Sequence, residues 1–330
     1  MTSARRPERS CPVQTAAILA LALLAAAAVV PLVSASSGDR DPLFGSCLAR
    51  CQSNACQGRP QALSTNAVLR LTLWSCADNC KYECMHQRTD ELAALGISPH
   101  QYYGKWPFYR LMGLQEPASV LFSLLNLHGH LVGFRRLRRL VPSYYPLRSL
   151  VLLNSFLGIN LWVWSSIFHS RDFPITEKLD YYSAMASFFC NLALTAILCF
   201  NIRSRIVQRW IVSVLAAGYL GHITYLTLRT PFDYRFNTIV GVVVGVANNV
   251  ILLLWGILNW TRRASYARHV VLMVCIITGA MTLEIFDFAP ILGVLDAHSL
   301  WHASTIPVVW LWYHFIDHHI AAADASPLKR

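Results

Sequence analysis

The sequence predicts an all-α membrane protein: a bundle of seven transmembrane helices preceded by a small, disulfide-rich luminal domain. Three observations carry this prediction. Only 14% of the 330 residues are charged, whereas a soluble globular chain has about 25%. Seven apolar segments are each long enough to cross a bilayer. Six of the ten cysteines lie within residues 47–84, shortly after an apolar N-terminus.

The N-terminus has the three parts of a secretory signal peptide. A basic stretch, MTSARRPERS, precedes an apolar core at about residues 16–33, and small residues follow at 34–37. We therefore predict a signal peptide over residues 1–36, which would deliver the next segment to the lumen. An uncleaved anchor is the alternative, because the apolar stretch is long for a signal peptide.

The predicted luminal domain covers residues 37–117 and contains a cluster of cysteines. Six clustered cysteines in an exported segment indicate three disulfides, and the sequence leaves their pairing open. A zinc site is the competing interpretation, but the spacings C-x3-C-x4-C and C-x3-C-x3-C lack the C-x2-C pair typical of zinc knuckles. We therefore favour disulfides. The cysteines concerned are Cys47, Cys51, Cys56, Cys76, Cys80 and Cys84.

Residues 118–322 form the predicted membrane domain, and residues 323–330 form a short tail. Each apolar segment has about 17 to 23 residues, which suffices at about 1.5 Å per residue for a hydrocarbon core of roughly 30 Å. The first segment is short. The predicted spans are 118–134, 148–169, 181–201, 208–228, 237–258, 268–289 and 302–322.

The loops between the spans give their orientation. Thirteen Lys or Arg residues lie after spans one, three, five and seven, whereas the alternate loops carry four. The positive-inside rule places the first set in the cytosol, with the C-terminus, and the cysteine-rich domain in the lumen. The net charge of +11 therefore reflects topology. We expect no nucleic-acid partner, since no basic stripe with interleaved aromatic residues is present.

A polar cluster is predicted at the luminal end of the bundle. Ser165 and His169 lie four residues apart near the luminal end of span two, so they share a helical face. His298 and His302 have the same spacing where span seven begins. The three histidines therefore belong at one membrane depth, and three imidazoles are a common zinc ligand set.

An isolated histidine near a helix end is more often an interfacial or core residue than a ligand. Chance pairs also occur, because His314 and His318 repeat the H-x3-H spacing at the cytosolic end of span seven. The luminal histidines differ in lying close to a serine and to the loop HSRDFPITEKLDYY, which carries Asp172 and Asp180. Polar groups in a bilayer are costly and usually functional.

Several stretches of the sequence carry a resemblance to a known family. They are GDRDPLFGSC, LWSCADNCKYECM, YGKWPFYRLMGLQEPASVLFSLLN, NLWVWSSIFHSRDFPITEKLDYYSA, EIFDFAP and DAHSLWHASTIP. Together they resemble the post-GPI-attachment phospholipase family, and the resemblance covers about residues 38 to 320. The family is similar to a wider superfamily of seven-span metal hydrolases, which includes alkaline ceramidases and adiponectin receptors. The superfamily pattern is S-x3-H in one span, a following Asp, and H-x3-H in the last span.

The resemblance implies a role for each matching position. His169, His298 and His302 match the zinc ligands, and Ser165 matches the serine. Asp180 matches the proton-transferring aspartate, with Asp172 as its rival. Zinc would activate water for attack on an ester, Asp180 would act as general base and then acid, and Ser165 would donate to the oxyanion. A nucleophilic serine is the competing role for Ser165.

The family implies a zinc-dependent phospholipase A2 type of ester hydrolase that removes a fatty acid, at sn-2, from the lipid of GPI-anchored proteins. It also implies a multi-pass protein of the Golgi or endoplasmic reticulum membrane. Two alternatives stay open: another lipid hydrolase, such as a ceramidase, and a non-enzymatic zinc-containing receptor. The sequence leaves the acyl position, the organelle, the metal's identity and the oligomeric state undecided.

Overall fold

A computed structural model describes residues 36–64, 66–262 and 264–324. The predicted signal peptide, residues 1–36, lies almost entirely outside the described residues, and so does most of the predicted tail. Those two predictions, and the domain boundaries drawn from them, therefore stay predictions. Within the described ranges the regular elements are helices, with isolated β-bridges in the loops.

The N-terminal region is a small helical unit closed by three nested disulfides. A 3-10 turn at Gly38–Arg40 precedes helices α1, α2 and α3. Cysteines four residues apart share one face of a helix. The cysteine side chains of α1 therefore face those of α3. The three disulfides confirm the predicted number of bridges, whose pairing the sequence leaves open. The helices are Pro42–Ala55 (α1), Ala67–Leu71 (α2) and Cys76–Ala94 (α3), and the bridges are Cys47–Cys84, Cys51–Cys80 and Cys56–Cys76.

Seven longer helices follow the cysteine-rich region. Each predicted span falls on one of them, and most of the helices extend beyond the apolar run because their ends carry polar residues. They are Pro117–Leu140 (α4), Arg148–Ser170 (α5), Pro174–Cys199 (α6), Arg205–Leu228 (α7), Tyr234–Leu258 (α8), Ala264–Phe286 (α9) and Ala297–Asp324 (α10).

Five of these helices, α5 to α9, are long and apolar enough to cross a membrane, which indicates a multi-pass membrane protein. Helices α4 and α10 are long enough but too polar to qualify. Four arginines end α4, and five histidines are spread along α10. The composition of these two helices therefore leaves the prediction of seven spans unconfirmed.

One boundary differs from the prediction in a way that affects the site. The sequence pattern places Asp180 in a loop, but α6 already begins at Pro174. Proline is favoured in the first turn of a helix, where its missing N–H costs nothing. The Thr176 hydroxyl also accepts a hydrogen bond from the Phe173 N–H at 3.0 Å, which satisfies an otherwise free donor. Asp180 consequently lies on a helix, and the helix fixes the direction in which its side chain leaves the backbone.

The long helices form a closed ring with one outlier. Helices α4, α5, α6, α8, α9 and α10 each pack mainly on the next, and α10 packs back on α4. Helix α7 packs mainly on α6 at the periphery. The closing contact between α10 and α4 is what brings the two ends of the membrane domain together, because α10 and α4 lie more than 150 residues apart in sequence.

The cysteine-rich region covers one end of this ring. Asp78 and Arg171 form an ion pair of 2.6 Å, and the Trp106 indole donates to the Asp287 carboxylate at 2.8 Å. The backbone of Tyr109 also pairs with Gly293. We call this the covered end. The arginines that close α4 lie at the opposite end, beside an apolar core built from α4, α5, α6, α8, α9 and α10.

Candidate metal centre

The structure brings the three predicted histidines together at the covered end. His169 lies in the last turn of α5, and His298 and His302 occupy the first two turns of α10. The Nε2 atoms of His169 and His298 are 3.4 Å apart, and those of His298 and His302 are 3.0 Å apart. One ligand nitrogen from each of the three rings lies within 4.8 Å of the others.

These distances fit a zinc ion held by three imidazoles. With zinc–nitrogen bonds of about 2.0–2.1 Å and tetrahedral angles, two ligand nitrogens would be about 3.4 Å apart. The other close group of possible ligands among the described residues is Cys56, Cys76 and Cys80. Their sulfurs are bound in disulfides, so they are not available as thiolates.

Second partners orient two of the rings toward this centre. His169 Nδ1 lies 2.7 Å from a carboxylate oxygen of Glu116, and His302 Nδ1 lies 2.9 Å from the Ser123 hydroxyl. A neutral His169 that donates Nδ1–H to Glu116 keeps its lone pair at Nε2, on the side of the other histidines. A partner of this kind fixes the tautomer of a metal-binding histidine and raises its basicity.

Ser165 lies beside the histidines and is 2% exposed. Its hydroxyl is 3.1 Å from that of Ser123, which also reaches His302. The two serines and His302 thus form one buried hydrogen-bonded chain. The indole of Trp162, one turn before Ser165, packs edge-on against the His302 ring.

The two candidate aspartates have different surroundings. Asp180 is close enough to His169 and His298 to interact electrostatically with both. Asp172 points instead to Lys105, with 3.1 Å between the carboxylate and the ammonium. The Asp172 carboxylate is therefore engaged by Lys105. Of the two aspartates, Asp180 is thus the one within electrostatic range of the two histidines, and Asp172 is the one paired with Lys105.

The partly buried Lys105 and the buried Glu116 form an ion pair at the edge of the cluster. Their charged atoms are 2.6 Å apart, and the Glu116 side chain is 6% exposed. Burial by itself would lower the pKa of Lys105, but Glu116 and Asp172 raise it above its usual range. Burial would raise the pKa of Glu116, but Lys105 and His169 hold it well below its usual range. Both groups are therefore ionised.

Sequence reasoning did not assign roles to Lys105, Glu116 or Ser123. All three fall in YGKWPFYRLMGLQEPASVLFSLLN, one of the stretches that carry the family resemblance. The resemblance therefore points to this stretch, but it assigns no role to these three residues. Glu116 precedes the first predicted span by two residues, and Ser123 lies inside it as one hydroxyl in an apolar run. Neither position has a spacing that points to His169 or His302.

Comparisons with known proteins identify the family to which the chain belongs. Residues 66–320 match the Per1-like family. The chain is 40% identical to "Protein PER1 homolog" of Schizosaccharomyces pombe over 292 residues, which cover 86% of this chain and 87% of the relative. It is 38% identical to "Post-GPI attachment to proteins factor 3" of Drosophila melanogaster, covering 91% and 94% of the two chains.

A human relative gives a similar result. The chain is 36% identical to "GPI-specific phospholipase A2-like PGAP3" of Homo sapiens over 300 residues, which cover 90% of this chain and 92% of the relative. No solved structure matches. Since the family match spans most of the chain and relatives above 30% identity cover nearly all of it, the chain belongs to the Per1-like family of post-GPI-attachment proteins.

Proposed function

We propose that the protein removes a fatty acid from the lipid of GPI-anchored proteins by zinc-dependent ester hydrolysis. The convergence of His169, His298 and His302 beside a buried serine and an aspartate carries this proposal. Membership of the Per1-like family supports the substrate class, since relatives are named for GPI attachment and for a GPI-specific phospholipase A2-like activity.

The three histidines would hold the metal through Nε2. Zinc, when bound, supplies a Lewis acid that lowers the pKa of a bound water toward neutrality. Glu116 and Ser123 keep the rings of His169 and His302 aimed at the centre. The walls exclude bulk water, because His169, His302 and Ser165 are each 2% exposed, which strengthens every electrostatic interaction inside the site.

Asp180 and Ser165 would carry the remaining steps. Asp180 accepts a proton from the attacking water and later returns it to the leaving alcohol. Ser165 donates a hydrogen bond to the carbonyl oxygen as negative charge develops there. The water oxygen joins the acyl carbon, the ester C–O bond breaks, and the products are a free fatty acid and a lysolipid. A nucleophilic serine needs a general base aimed at its hydroxyl. The histidines beside Ser165 in the described part of the chain face the metal centre or Ser123 instead, so the proposal does not use Ser165 as the nucleophile.

Topology would give the substrate access. We propose that α4 and α10 cross the membrane with α5 to α9, that the covered end faces the lumen of the Golgi or endoplasmic reticulum, and that the C-terminus is cytosolic. The clustering of Lys and Arg at the opposite end supports this orientation. An acyl ester in the luminal leaflet would then enter sideways, while its glycan stays in water. The sn-2 position is the proposed point of cleavage.

Mass analysis of GPI lipids tests the proposal. In cells that lack this protein, the diacyl or alkyl-acyl form should accumulate, and the lysolipid should reappear on rescue with the intact chain but not with His302→Ala. Unchanged GPI lipids with altered ceramides would favour a ceramidase instead. Unchanged lipids of both kinds would favour a non-enzymatic receptor.

A further inference from the structure

Lys105 belongs to the cysteine-rich region and contacts residues at the covered end. It lies between α3 and α4, and its ammonium is 2.6 Å from Glu116 and 3.1 Å from Asp172. The same ammonium lies 4.3 Å from the centre of the Phe168 ring, next to His169. Lys105 thus joins two carboxylates and an aromatic face directly outside the histidine cluster.

Glu116 divides its two carboxylate oxygens between Lys105 and His169. Oε1 accepts from Lys105 at 2.6 Å, and Oε2 faces His169 Nδ1 at 2.7 Å. The backbone adds a third constraint, because the Glu116 N–H donates to the His169 carbonyl at 3.0 Å. With both oxygens engaged and the backbone paired, the carboxylate cannot rotate away from His169 without breaking a charge-assisted hydrogen bond.

The disulfide core fixes the position of Lys105. Lys105 and Tyr102 exchange two backbone hydrogen bonds of 2.7 and 2.9 Å. Tyr102 is 2% exposed and packs against Phe44 and Cys84, and Cys84 is bridged to Cys47. A continuous set of covalent bonds, packing and hydrogen bonds therefore runs from the disulfides to Lys105, and from there through Glu116 to His169.

We propose that Lys105 and Glu116 are positioning residues for His169, so that the cysteine-rich region completes the metal centre instead of only covering it. Glu116 orients the ring and strengthens its Nε2 as a ligand. Lys105 holds Glu116 in place and balances the charge of the buried Glu116 carboxylate and of the partly exposed Asp172 carboxylate. The inference rests on the proposed function, since it assigns these residues a role toward the same metal.

Zinc affinity of the purified full-length protein, measured by chelator competition, tests this role without using activity. We expect Glu116→Gln to weaken zinc binding by about 10–100-fold. Lys105→Met should weaken zinc binding about 10-fold. Lys105→Arg keeps the charge and should therefore retain most of the wild-type affinity. Lys81→Met is the matched control. Lys81 also pairs with an aspartate of the cysteine-rich region, at 3.1 Å, but it is 41% exposed, and zinc affinity should not change.

A double-mutant cycle separates positioning from general stabilisation. If Lys105 acts through Glu116, Lys105→Met should cost little further affinity in the Glu116→Gln background, whereas independent effects would add. Resistance of the luminal region to a protease confirms that each variant is folded. The visible spectrum of the cobalt-substituted protein should change in Glu116→Gln, because the geometry at His169 changes.

The outcomes distinguish the two proposals. Tight zinc binding by wild type that is unchanged in Glu116→Gln and Lys105→Met would overturn this inference and leave the proposed function standing. Additive losses in the cycle would equally overturn the positioning role of Lys105. If wild type bound zinc no better than His302→Ala, the proposed function would be overturned, and this inference with it.

Discussion

His298 and His302 lie one helical turn apart on α10, with their Nε2 atoms 3.0 Å from each other. Two imidazole nitrogens at that distance in a buried site are poorly explained as a structural pair, because His169 brings a third nitrogen to the same point. A cation held by all three nitrogens would account for this arrangement. The histidine pair is therefore the place to begin a test of the site.

Replacement of His302 by alanine should remove zinc and activity together. A three-histidine centre loses one ligand, and we expect the zinc content of the purified protein to fall from about one per chain toward zero, with no fatty-acid release. His314→Ala is the matched control, since it removes a histidine from the opposite end of the same helix. Full hydrolysis by His302→Ala would rule out the zinc mechanism.

Replacement of Asp180 by asparagine should separate catalysis from metal binding. The amide cannot take a proton, so kcat should fall by about 100- to 10,000-fold, while zinc content stays at the wild-type level. Asp172→Asn should have a smaller effect, because Asp172 pairs with Lys105. Steady-state kinetics on a GPI-lipid substrate, with zinc analysis of each variant, would measure both. If Asp172→Asn lowered kcat more than Asp180→Asn did, Asp172 would be the proton-transferring residue instead of Asp180.

Replacement of Ser165 by alanine tests its role as hydrogen-bond donor. Loss of one oxyanion donor typically lowers kcat by about 100- to 1,000-fold, and residual hydrolysis should remain. A nucleophilic serine would instead form an acyl-enzyme. Rapid quench of the wild-type reaction followed by peptide mass analysis should therefore find no acyl group on the peptide that contains Ser165, and an acylated peptide there would contradict the proposed role.

The ion pair between Asp78 and Arg171 should make docking of the cysteine-rich region depend on pH. Burial would raise the pKa of Asp78, but hydrogen bonding by Ser75 and the charge of Arg171 lower it overall. A lowered folded-state pKa means that the stabilisation is complete above the unfolded value of about 3.9. It is lost as pH falls through the folded-state value.

Asp78→Asn should therefore destabilise the protein at pH 7 by about 1–2 kcal/mol. The difference from wild type should shrink below about pH 4. Thermal unfolding of the cysteine-rich region, followed by protease susceptibility between pH 7 and pH 3, measures this difference. Asp90→Asn, at an exposed position on α3, is the control and should have no effect at any pH. A constant difference across the range would show that charge is not the cause.

The sequence by itself determined the helical class, the three disulfides and the identity of the three histidines. Each of these follows from spacing along the chain: apolar runs of membrane length, cysteines clustered after a predicted export signal, and imidazoles at i and i+4. Spacing also predicted that the histidines would share one depth, since both helices end or begin on the same side. These are local regularities, which a single sequence contains in full.

The tertiary structure alone decided which groups surround those histidines. Closure of α10 on α4 places Ser123 against His302, and docking of the cysteine-rich region brings Lys105 to Glu116 and so to His169. These partners are far apart in sequence and belong to different helices, so no periodicity relates them. The disulfide pairing and the separate surroundings of the two aspartates depend on the same packing of elements in three dimensions.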